Sequence, residues 1–206
     1  MVYKSFEISH TVVEPLLTKS DQELLALFQA HPDSGRYLVA IFCRYGQITY
    51  ALTHEVERSP AQADYLFVKT WERIYQELKL LKLETNKPVQ NFLIDITGTV
   101  ISSYDPSHFQ SMETSVNAKY HLSVTSPIFL CYLNQALDQL SFELRLVLTL
   151  SEVFNWSSSR IAAYLNSEGD RHKVKDIDEL RSKANLALVE LLPKDIQEIY
   201  LSDTHL

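Results

Sequence analysis

The sequence predicts an all-α protein of two small helical domains joined by a polar linker, the C-terminal one a helix-turn-helix. Three observations predict it. Apolar residues recur at three- and four-residue steps through most of the chain, as on amphipathic helices. No stretch carries the turn pair and alternation of a β-hairpin. One polar segment, residues 103–126, interrupts the periodicity. A length of 206 residues suits one large domain or two small ones.

Residues 1–19 show no firm period and are expected to form an extended arm. Ser20-Asp21-Gln22-Glu23 has the capping-box pattern, and Leu24, Leu25, Leu27 and Phe28 follow on a short amphipathic helix. His31-Pro32-Asp33-Ser34-Gly35 ends it. A second helix is predicted from Arg36 to Arg58, with the stripe Leu38, Ile41, Phe42, Tyr45, Ile48, Leu52 and Val56. Ser59-Pro60-Ala61-Gln62 reads as the start of a third, carrying Phe67, Trp71, Ile74, Leu78 and Leu81. Asn86-Lys87-Pro88 breaks it. A fourth holds Val89, Phe92, Leu93, Ile96 and Val100, weakened in the middle by Thr97, Gly98 and Thr99. These helices make an N-terminal domain of residues 20–102. The linker, rich in Ser, Asp, Thr, His and Asn, follows at 103–126.

The second domain, residues 127–193, opens with a helix over Ile128 to Gln139. Leu144, Val147, Leu148 and Ser151 then form one stripe. Phe154-Asn155-Trp156 turns the chain, Ser157 caps a helix carrying Ile161, Ala162 and Leu165, and Asn166 to Gly169 break it. A last helix places Val174, Ile177, Leu180, Ala184 and Leu188 on one face and ends at Pro193, before a tail of residues 194–206. Three short helices with alanines at the tight crossing fit a helix-turn-helix, whose last helix can enter a DNA major groove; an ordinary three-helix core gives the same stripes.

A net charge of −7 argues against a free-standing DNA binder, but not against a protein that meets DNA inside a larger assembly. The two cysteines, Cys43 and Cys131, sit in apolar patterns and read as buried thiols. No apolar run is long enough to span a membrane, and MVYKSFEISH lacks a signal-peptide core, so a cytoplasmic protein is expected. With four glycines, no phosphate loop, no nucleophile elbow and no paired His/Cys motif, neither an enzyme nor a metal or cofactor is expected.

The order of four helices, polar linker and terminal helix-turn-helix resembles a bacterial sigma-70-family factor of the extracytoplasmic-function type over Ser20 to Leu192. Leu140-Ser141-Phe142-Glu143-Leu144-Arg145 resembles the opening of that family's region 4, with Ser141 in place of proline. Ser157, Ile161, Ala162 and Leu165 resemble its next helix, with Arg160 where glutamate is usual, and Lys183-Ala184 resembles the arginine-alanine late in its recognition helix. Asp21, Glu23, Leu24 and Leu25 resemble the opening of region 2. The run from Asp64 to Trp71 resembles its polymerase-binding helix, and Phe92-Leu93-Ile94-Asp95-Ile96 its promoter-melting segment. Asp95, Gly98 and Thr99 stand where the family carries arginines and an asparagine, and the turn from Asn166 to Lys173 is longer than usual.

The resemblance implies a transcription initiation factor whose partners are core RNA polymerase, promoter DNA and an anti-sigma protein. A sigma-fold module that binds polymerase or another protein without reading promoters is the alternative. Expected DNA contacts are Arg171, His172, Lys173, Lys175, Arg181 and Lys183, those near the helix start foremost, with Lys87 and Phe92 in region 2. Asp170, Asp176, Asp178 and Glu179 interleave with the cations, so a solvated, salt-bridged face fits that helix as well. Phe92 shares a stripe with Leu93 and Ile96, which also fits core packing. Expected polymerase contacts are Asp64, Phe67 and Trp71, of which Trp71 lies on the apolar face.

Overall fold

The computed structural model describes residues 6–57, 59–82, 88–105, 126–169 and 172–201, and among these every regular element is helical. Nine α-helices follow in order: α1 Asp21–Ala30, α2 Arg36–Val56, α3 Pro60–Leu78, α4 Val89–Ser103, α5 Pro127–Gln139, α6 Phe142–Leu148, α7 Ser158–Ser167, α8 Val174–Leu191 and α9 Lys194–Leu201. Most of the expected linker lies outside the described residues. The chain divides into two compact units, one of residues 1–131 with 194–206, the other of residues 132–193. No described helix is long and apolar enough to cross a membrane.

In the first unit α2 is the central helix, with α1, α3 and α4 packed around it. Its first half is buried nearly all round, at Leu38, Val39, Ala40, Ile41 and Phe42. In its second half the inner face is Tyr45, Thr49, Tyr50 and Thr53; Ile48 and Leu52 are only partly buried, and Val56 is 59% exposed. The predicted stripe drifts here because the threonines satisfy their own hydroxyls. Thr49 donates to the Gly46 carbonyl (3.0 Å) and Thr53 to that of Tyr50 (2.9 Å), so both enter the core without an orphaned group. Gly46 leaves room for the Phe42 ring, which would stand 3.0 Å from an added Cβ.

α3 buries Ala63, Leu66, Phe67, Thr70, Trp71, Ile74, Tyr75 and Leu78. Pro60 begins it as predicted, but the Ser59 side chain makes no cap bond. Trp71 stacks edge-on against Phe42 at 4.9 Å and donates its indole N–H to Thr49 Oγ1 at 3.0 Å. α1 has both bonds of the predicted box: Glu23 N–H donates to Ser20 Oγ (3.3 Å), and Ser20 N–H to Glu23 Oε2 (2.8 Å). Gln29 of α1 then closes the end of α3, donating to the carbonyls of Leu78 and Leu81. In α4 the buried positions are Val89, Leu93 and Thr97, while Phe92, Ile96 and Val100 are half-buried. Thr97 sits inside because its hydroxyl donates to the Leu93 carbonyl at 2.7 Å.

Two expectations for the chain ends are corrected. The predicted extended arm contains 3₁₀ turns at Phe6–Ser9 and Glu14–Thr18, and it buries Glu7, Val13 and Leu16. The predicted tail contains α9, which belongs to the first unit and buries Ile196 and Ile199. Asp195 of α9 accepts hydrogen bonds from Ser34 Oγ (2.6 Å) and from the backbone N–H groups of Gly35 and Arg36 (3.0 Å each). A carboxylate from the far end of the sequence thus caps α2, whose own N-cap, Gly35, has no side chain.

Candidate nucleic-acid interface

The second unit builds its surface from α6, α7 and α8. Ser141 caps α6, whose last turn widens into a π-helical turn over Thr149–Val153. That turn keeps Leu144, Val147, Leu148 and Ser151 on one buried face, as their spacing predicts. Asn155 adopts a left-handed backbone (φ 52°) and reverses the chain. Ser157 then caps α7, accepting from Arg160 N–H at 3.3 Å. Val147, Leu150, Ile161, Ala162, Leu165 and Ile177 form one core where α6, α7 and α8 meet. Leu140, Leu144, Leu148 and Ala184 form a second, between α8 and the helices before it. Ala184 is fully buried, so α8 approaches closely there.

The connection from α7 to α8 is long. Gly169 (φ 109°) turns the chain, and the Asn166 amide bridges the gap, donating to the His172 carbonyl (3.0 Å) and accepting from His172 N–H (2.7 Å). A single asparagine inside a predicted breaker gave no sign of that bridge. At the start of α8, Lys173 N–H donates to Asp176 Oδ2 (2.8 Å), and Ser158 at the head of α7 donates to Asp178 Oδ1 (2.5 Å). Val174, expected on the inner face, is 48% exposed. It is the first helical residue and precedes the first buried position, Ile177.

Of the expected DNA contacts, Lys173, Lys175, Arg181 and Lys183 are exposed along α8. Lys175 pairs with Glu179 (3.5 Å) at the surface. Arg181 is held by Glu152 of the π-helical turn, through Nε (2.8 Å) and a terminal nitrogen (2.7 Å). His172 is partly buried, its Nε2 4.0 Å from Glu143 Oε1. Lys183 lies in a shallow groove on α8 with Asp178, Ser182, Leu186 and Glu190. Arg160 lies over the Trp156 ring at 4.0 Å, beside the start of α7. Arg171 and Lys87 lie outside the described residues.

In the first unit Phe92 is half-buried on α4. Of the expected polymerase contacts, Phe67 and Trp71 are fully buried and present no surface to a partner. Only Asp64 reaches solvent. It is tied to α2 by His54 (Nε2 to Oδ1, 3.1 Å), and the His54 ring lies 4.1 Å from that of Tyr50. Burial, then the nearby Asp64 carboxylate, raises the Tyr50 phenol above its ordinary range. Asp64 therefore fastens the α2–α3 crossing, whatever else it touches. Among the described residues no cluster of three or more His, Cys, Asp or Glu side chains is placed to hold a metal ion. The sequence matches no protein-family model and no curated protein.

Proposed function

We propose that this chain is a sigma-like initiation factor that binds core RNA polymerase through its first unit and directs it to promoters. The observation that carries the reading is the close packing of α7 and α8 around Ile161, Ala162, Leu165 and Ile177, with Lys173 and Lys175 left in solvent at the start of α8. That is the arrangement a helix-turn-helix needs to offer the head of its last helix to a DNA groove. The resemblance across both halves of the sequence supports the same reading. The chain's net charge of −7 gives it little attraction for phosphates, so the polymerase supplies the electrostatic affinity and this chain the selection. Such a factor works in the cytoplasm and uses no cofactor, and an anti-sigma protein is its natural antagonist.

The second reading, a polymerase-binding module without promoter recognition, is favoured by Arg181 and Lys175, which are already paired with acids of the same unit. Transcription with purified core polymerase separates the two. The initiation factor opens a subset of promoters, and Lys173→Ala with Lys175→Ala lowers occupancy. A base contact relaxes preference at one position by about 1–3 kcal/mol, whereas a phosphate contact weakens all promoters alike. Polymerase binding with no promoter opened across a broad panel overturns the leading reading.

A further inference from the structure

Three stretches distant in sequence meet at one hydroxyl of the first unit. Tyr200 of α9 donates to Glu7 Oε1 at 2.9 Å, and Glu7 is fully buried. Its single proton spent there, Tyr200 accepts from Ser126 Oγ at 2.8 Å. The Tyr200 ring lies 5.3 Å from that of Phe129, in the first turn of α5. Ile128 and Cys131 of the same turn are buried, and the Cys131 thiol contacts the Trp71 carbonyl at 3.7 Å. All these residues belong to the first unit.

The second unit, residues 132–193, lies in sequence between two of these stretches. The chain leaves the first unit after Cys131 and returns to it at Lys194. Both connections are therefore fastened at Tyr200. The second fastening is Asp195, with its three hydrogen bonds to the start of α2.

We propose that α9 is a releasable latch, pinned by Asp195 and Tyr200, whose docking fastens both connections of the second unit and whose release frees that unit for its own partner. The balance of forces favours release over permanent attachment. α9 has eight residues, too few to hold a helix in water alone, so its folding depends on docking. Only Ile196 and Ile199 of α9 are buried, whereas α3 buries eight side chains, Trp71 and Phe67 among them. The remaining hold is polar, and water can replace it at the partly exposed Asp195. Such segments open below the global unfolding free energy. The purpose of release rests on the initiation-factor reading: two units that engage separate parts of a polymerase–promoter complex need the freedom that a double fastening denies. The latched chain is the resting form.

Amide hydrogen exchange on the full chain tests the latch without polymerase or DNA. Tyr200→Phe and Asp195→Asn each keep side-chain size, so the first unit stays folded. In the double variant, exchange over residues 127–131 and 194–201 should rise together by tenfold or more, with the central amides of α2, α3, α7 and α8 unchanged. A rise in α9 alone makes the two connections independent and overturns the latch. A parallel rise throughout α2 and α3 makes α9 part of the core and also overturns it. With core polymerase bound to the unaltered chain, both segments should lose protection; full protection in a formed complex removes the latch's role. If no complex forms, the initiation-factor reading falls, while the exchange result still decides the latch.

Discussion

Trp71 was expected at a partner surface and lies at the centre of the first unit, which makes its one polar atom a test of the packing. Its indole N–H is fully buried with the side chain and donates to Thr49 Oγ1 at 3.0 Å. Thr49→Val keeps the shape and removes the acceptor. The carbonyl that Thr49 serves, that of Gly46, lies within α2 and keeps its place in the helical ladder, so the cost falls on the orphaned indole N–H. An unsatisfied buried donor costs about 1–3 kcal/mol. Thr49→Ser is the control: it keeps the acceptor and deletes one buried methyl, worth about 0.8–1.5 kcal/mol. Urea unfolding followed by Trp71 fluorescence, in a Trp156→Phe background, reads the first unit alone. Valine should lower the midpoint more than serine, with the slope unchanged. A valine variant within about 0.5 kcal/mol of the parent, the ordinary range of an uninvolved substitution, refutes the assignment.

Three further outcomes follow from other sites. Glu152→Gln should release Arg181 and, by adding one phosphate contact, raise the salt slope of duplex binding by about 0.9 in a titration with core polymerase present; an unchanged slope means that Arg181 does not face DNA. Ile177→Ala should cost about 2–5 kcal/mol, because Ile177 is fully buried where α6, α7 and α8 meet, and Trp156 fluorescence should report the second unit melting before the first. Burial, then the hydrogen bond to Asp21 and its charge, push the Tyr45 phenol up to about 12. The folded state thus holds its proton more tightly than the unfolded chain does, so the stability it contributes is complete below about pH 10 and is lost as pH rises from about 10 to about 12. Tyr45→Phe should flatten that part of the alkaline denaturation curve.

The helices were legible because their signals are local. Capping residues, Pro60 at a helix start and three- and four-residue apolar steps act within one or two turns, and α1, α3, α7 and α8 form where those signals stand. Finer placement was less legible. Which face of α2 turns inward depends on threonines whose hydroxyls are satisfied by the helix itself, and hydropathy counts such residues as polar. The cations of α8 could be named from the sequence, but their engagement by Glu152 and Glu179 could not. Glu152 lies 29 residues from Arg181, a pairing only the packing of α6 against α8 creates.

The sequence by itself determined the fold class, the order of the helices and the residues able to meet a nucleic acid, because periodicity and capping are properties of short windows. Only the tertiary structure decided that Phe67 and Trp71 are core, that Asp64 binds His54, and that α9 joins the first unit. The α9 docking shows the physical reason. Asp195 and Gly35 are 160 residues apart, and neither carries a local mark of the other. A buried or capping contact between distant segments forms only once the intervening chain has folded, so no window of the sequence contains it.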